Sequence, residues 1–69
     1  MINKLRVARN LAGLRQSDVA ERVGISRPLL SLFEVGNARP SAEIEYKLSE
    51  VLGLPVDVLF PDRTEGEEE

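Results

Sequence analysis

An all-α fold of five short helices is predicted by three observations. Apolar residues recur at three-and-four spacing, no stretch alternates with period two for long enough to make a strand, and Gly13, Gly24, Gly36 with Asn37, and Gly53 punctuate the chain at helical intervals. At 69 residues the chain holds one domain, near the size where a single core yields only a few kcal/mol, so added support from dimerisation is expected. Residues 1–61 are assigned to that domain. Residues 62–69 are assigned to an acidic tail, because PDRTEGEEE carries four glutamates and no aliphatic or aromatic residue, a composition that predicts disorder.

The first helix places Leu5, Ala8 and Ala12 on one face, with Arg9 as the single charge beside them. The second runs from Ser17 to Val23 with Val19, Ala20 and Val23 as its stripe, and Gly24 stops it. Ile25 is expected to enter the core, Ser26 to cap the third helix, and Pro28 to sit in a first turn where its missing N–H costs nothing. That helix extends to about Val35. Leu30, Phe33 and Glu34 fall on its inward face, while Arg27, Pro28, Ser31, Leu32 and Val35 fall outward. The outward face is therefore unusually apolar. Pro40 and Ser41 restart the chain, and Ile44, Leu48, Val51 and Leu52 mark the buried stripe of a fourth helix. Pro55–Phe60 forms a short fifth, supplying Val58 with Leu59 or Phe60 to the core.

The sequence has no Cys and no His, which removes thiol nucleophiles, disulfides, imidazole bases and the commonest transition-metal ligands. No metal, no cofactor and no enzymatic activity are expected. The N-terminus MINKLRVARN mixes charged with apolar residues and has no signal-peptide core, and apolar runs are short, which predicts a soluble cytoplasmic protein away from membranes. The net charge of −3 hides an asymmetry. Residues 1–40 hold seven bases against three acids, and the remainder two bases against nine. A basic working half is joined to an acidic one.

Two short helices joined by a tight turn, with glycine first and an apolar residue next, describe a helix-turn-helix. Beyond that pattern, GLRQSDVAERVGISRPLLSLFEVG, followed by ARPSAEI and LGLPVDVLF, resembles the Cro/C1-type (phage-repressor-like, XRE family) helix-turn-helix domain across residues 3–60. The matches are Leu5, Arg6 and Arg9; Gly13-Leu14 with Gln16; Val19-Ala20; Gly24-Ile25-Ser26; Glu34 with Gly36; Pro40-Ser41; and Leu52-Gly53 with Leu59. The resemblance implies a compact five-helix, lambda-repressor-like domain whose second and third helices form the motif. It also implies a sequence-specific regulator of transcription, a dimeric repressor or controller protein that binds a palindromic operator in double-stranded DNA with helix three in the major groove.

On that reading Arg27, Pro28, Ser31 and Leu32 are the candidates for meeting base edges. Arg27 can fork onto guanine O6 and N7 or touch phosphate, and Ser31 can bond base, phosphate or water. Leu32 and Val35 depart from the polar residues usual in the family, and can meet thymine methyls or a protein partner. Gln16 matches the family's phosphate-clamping glutamine at a helix start. Arg15 stands where relatives carry a capping Thr or Ser, so a cap is exchanged for a cation directed at the DNA backbone. Ser26, Asn37 and Arg39 complete the phosphate candidates. Arg9 and Glu34, each beside an inward stripe, are expected to pair and lock helix one to helix three, which also matches the family pattern. Leu54, Val56, Val58 and Phe60 are the candidate dimer surface. The alternative is a protein-interaction module, antitoxin-like or anti-repressor, with weak or no DNA binding; the acidic half and Leu32 favour it, while Arg15, Gln16, Arg27 and Arg39 oppose it.

Overall fold

The computed structural model describes residues 3–61, and the expected tail at 62–69 lies outside them. The helices are α1 (Leu5–Leu11), α2 (Gln16–Val23), α3 (Arg27–Val35), α4 (Ala42–Leu52) and α5 (Val56–Leu59). No strand occurs among the described residues. α2 packs on both α3 and α4, α1 leans on α3, and α5 covers α4.

The α2–α3 turn explains why these two helices meet as they do. Gly24 lies at φ +89, and its N–H and that of Ile25 both return to the Ala20 carbonyl, at 2.8 and 3.0 Å. A side chain in this left-handed region costs ~1–2 kcal/mol, a penalty that glycine escapes. Two residues later the Ser26 Oγ accepts the Leu29 N–H at 3.2 Å, and Pro28 occupies the first turn of α3. Stop and start signals therefore stand only two residues apart, leaving α3 no freedom to drift from α2.

The core takes Leu5 and Ala8 from α1, Val19, Ala20 and Val23 from α2, Leu30 and Phe33 from α3, and Leu48 and Leu52 from α4, closed by Leu59 and Phe60. Two hydrogen bonds tie the start of the described chain to distant helices. Asn3 donates from Nδ2 to the Phe33 carbonyl at 2.9 Å while its Oδ1 accepts the Leu5 N–H at 3.0 Å, and the Lys4 N–H donates to the Leu59 carbonyl at 2.8 Å. Asn3 thus serves the start of α1 and the end of α3 together.

Several expectations are corrected. α1 ends at Leu11, so Ala12 becomes its exposed cap residue rather than part of the buried face, while Val7 and Leu11 are exposed apolar residues. Ile25, Ile44 and Val51 are only partly buried, at the margin of the core. α5 is a single turn, too short to turn both Val58 and Leu59 inward; Leu59 is buried and Val58 is 43% exposed. Phe60 is 0% exposed, consumed by the chain's own core, so it offers no side-chain surface to a second chain. Leu54 and Val56 also pack on that core, which leaves Val58 as the most exposed of the four candidate dimer residues. Finally, Glu45 on α4 is 2% exposed, a buried carboxylate that apolar periodicity did not reveal.

Candidate nucleic-acid interface

A chain of polar side chains runs from inside the domain to the exposed start of α3. Arg9 and Glu34 form its root: Arg9 Nε donates to Glu34 Oε2 at 2.7 Å and the adjacent Nη2 to Oε1 at 3.2 Å, a two-pronged ion pair between α1 and α3. Arg9 Nη1 also donates to the Leu14 carbonyl at 3.2 Å, so the α1–α2 loop is held by the same guanidinium. The Glu34 side chain is 3% exposed. A lone carboxylate there would be strongly unfavourable, and the fork of donors makes it tolerable.

Gln16, the first residue of α2, extends the chain. Its Nε2 donates to Glu34 Oε1 at 3.1 Å, and its Oε1 accepts from Arg27 Nε at 3.3 Å. The neighbours fix which amide atom is which, because a carboxylate requires a donor and a guanidinium requires an acceptor. One amide hydrogen of Gln16 remains for a ligand. Arg27, engaged through Nε, presents the outer edge of its guanidinium, the edge that forks onto a planar pair of acceptors. This wiring makes Gln16 more than a phosphate candidate, since it orients Arg27. A spacing of eleven residues between Gln16 and Arg27 gave no sign of the contact. It depends on the crossing of α2 and α3.

Arg9, Arg15, Gln16, Ser17 and Arg27 line one open recess of ≈ 490 Å³. Ser17 was not among the expected residues. Three guanidiniums converge there, and one of them is already spoken for by Glu34. Arg15 is the residue preceding α2, and its side chain is 86% exposed. A guanidinium has no acceptor, so Arg15 cannot cap α2 with its side chain. Asp18 supplies the missing half: its Oδ2 accepts the Arg15 N–H at 2.9 Å and lies 3.6 Å from Arg15 Nε. That backbone hydrogen bond, with the nearby Arg15 charge contributing further, holds the Asp18 carboxyl below the usual aspartate range.

The remaining candidates sit around this recess in different settings. Arg27, Pro28, Leu32 and Val35 are exposed and Ser31 is half-buried, all on the outward arc of α3. The Ser26 oxygen is committed to capping, though its O–H can still donate. Asn37 and Arg39 are exposed in the loop after α3, where the Asn37 N–H closes the helix by bonding the Leu32 carbonyl at 2.9 Å. Among the described residues no cluster of carboxylate ligands could hold a metal ion, and no helix is long and apolar enough to cross a membrane.

Comparison with known proteins identifies the family. The helix-turn-helix family profile matches residues 5–59. An uncharacterized HTH-type transcriptional regulator of Methanocaldococcus jannaschii is 33% identical over 87% of this chain and 91% of its own length. YazB, an uncharacterized HTH-type transcriptional regulator of Bacillus subtilis, is 38% identical over 84% of each chain, and one from Archaeoglobus fulgidus is 30% identical over 87% of this chain and 86% of its own. This match over nearly all the described residues, on an all-helical fold with a capped three-residue turn between α2 and α3, places the chain in the Cro/C1-type helix-turn-helix family of DNA-binding transcription regulators.

Proposed function

We propose that this protein is a cytoplasmic, sequence-specific regulator that docks α3 in the major groove of duplex DNA, one domain per half-site of a palindromic operator. The observation that carries the reading is the recess of Arg15, Gln16 and Arg27 beside the exposed arc of α3. A phosphate oxygen at the start of α2 would receive the free Gln16 amide hydrogen, the first N–H groups of the helix and the Arg15 charge together. With Arg27 then facing the groove, its outer guanidinium edge can pair with guanine O6 and N7, worth ~1–3 kcal/mol of discrimination. Asn37 and Arg39, at the opposite end of α3, supply contacts to the second strand. As a homodimer, the protein would span half-sites about 34 Å apart, with repression by occlusion the simplest outcome.

Titrating duplex binding against salt tests this. Affinity should fall steeply with rising salt, and Arg15→Ala or Arg39→Ala should each flatten the log–log slope by about 0.9 without unfolding the protein. A slope near zero would overturn the reading in favour of a protein-interaction module.

A further inference from the structure

The outward arc of α3 is chemically lopsided. At 3.6 residues per turn, Arg27, Ser31, Val35, Pro28 and Leu32 follow one another around about 140° of the helix, with Arg27 at one edge and Leu32 at the other. Between those edges the only hydrogen-bonding side chain is Ser31, which is half-buried. Leu32 is 44% exposed and Val35 60%. A helix that read four bases by hydrogen bonds would need donors and acceptors this one lacks. In the major groove one base feature alone is apolar, the C5 methyl of thymine.

We propose that Pro28 and Leu32 form a contact surface for thymine methyl groups, so that each half-site combines the base pair met by Arg27 with one or two thymines next to it. The inference rests on the DNA-binding reading given above and adds the chemistry of the sequence being read. Pro28 and Leu32 are four residues apart, about 6 Å along the helix axis, which spans close to two base-pair steps. Val35 lies a further turn toward the exit of the helix and serves as rim. The recess beside this arc favours DNA over an apolar protein partner as occupant. An apolar protein covering the whole arc would crowd Arg27, at its other edge, away from water without neutralising it, whereas a duplex supplies phosphates to the cations of the recess and methyls to the apolar edge together.

The test changes the DNA and leaves the protein intact. A duplex selected by the wild-type chain from a random-sequence pool is compared with the same duplex carrying deoxyuridine for thymine, which deletes the methyl and keeps the pairing. Loss of one buried methyl corresponds to ~0.8 kcal/mol, so wild-type affinity should drop about fourfold at each contacted thymine. Leu32→Ala should bind the two duplexes equally well at the thymine that Leu32 covers. Equal wild-type affinity for both duplexes, or selected sites without thymine near the guanine, would overturn the inference while leaving DNA binding in place. Absence of any salt-dependent duplex binding would overturn the underlying reading instead. A Leu32→Ala chain that loses self-association in sedimentation, with its response to deoxyuridine unchanged, would reassign the apolar edge to a second copy and also overturn the inference.

Discussion

The side of the domain built on α1, α2 and α3 and the side built on α4 and α5 share one apolar core but use their polar side chains differently. On the first, Arg9, Glu34, Gln16 and Arg27 are joined by hydrogen bonds of 2.7 to 3.3 Å, so side chains from three helices are fixed in direction. On the second, Leu48, Leu52, Leu59 and Phe60 contribute buried area, and Glu43, Glu50 and Asp57 face water. Apolar burial is non-directional and supplies stability, whereas charge-assisted hydrogen bonds set orientation at little net gain. The comparison teaches that an apolar core drawn from every helix keeps the domain folded, while the polar chain on one side decides how Arg27 is shown.

The most damaging intervention should be on the apolar side. Phe60→Ala empties a fully buried site and should cost about 3–5 kcal/mol in denaturant unfolding, enough to abolish DNA binding through loss of the fold. If DNA binding survived with unchanged unfolding, the division of labour would be wrong. Removing Arg9 attacks the polar side. Arg9→Met strands the Glu34 carboxylate and should cost about 3 kcal/mol or more, whereas Arg9→Met with Glu34→Leu should recover most of it, since a well-packed apolar pair can replace a buried ion pair. The rescued double variant should still bind DNA less selectively, because Gln16 then has no carboxylate to orient it. Full recovery of both stability and selectivity would show the wiring to be dispensable.

Smaller effects sharpen the picture at the turn and the cap. A Cβ added at Gly24 meets nothing within 4 Å, so Gly24→Ala should cost only the backbone term, ~1–2 kcal/mol, visible as a modest fall in Tm. A larger loss would mean the turn is crowded. Asp18 is the most delicate case. Its carboxyl is held below the usual range, so the stability it contributes is present at neutral pH and disappears as pH falls through that depressed titration. The stability gap between wild type and Asp18→Asn should therefore close in acid, and a pH-independent gap would remove the Asp18 cap from the account.

Most of the fold was legible because it rests on local signals. Gly24, Ser26 and Pro28 mark their turn by backbone chemistry alone, and Leu30, Phe33, Leu48 and Leu52 follow helical spacing. The fifth helix was read less well. A four-residue turn has too few positions for periodicity to choose between Val58 and Leu59, and the burial of Phe60, just past that turn, depends on tertiary packing. The same limit applied at the candidate site. Arg9 and Glu34 were legible as a pair, since each interrupts an apolar stripe, but the Gln16–Arg27 contact, the part played by Asn3 and the burial of Glu45 depend on how helices cross. Residues that lie together only through packing leave no mark in one-dimensional spacing.

The orientation of the Gln16 amide also restricts how this domain can be redesigned. If Arg27 meets guanine as proposed, an Arg27→Glu exchange, which would seek cytosine instead, would set a carboxylate against Gln16 Oε1. Rotating the amide to greet it would swing that oxygen onto the Glu34 carboxylate. A carboxylate at position 27 therefore calls for changes at positions 16 and 34 as well, and side chains that donate a proton toward Gln16 are the ones the scaffold accepts without such rebuilding.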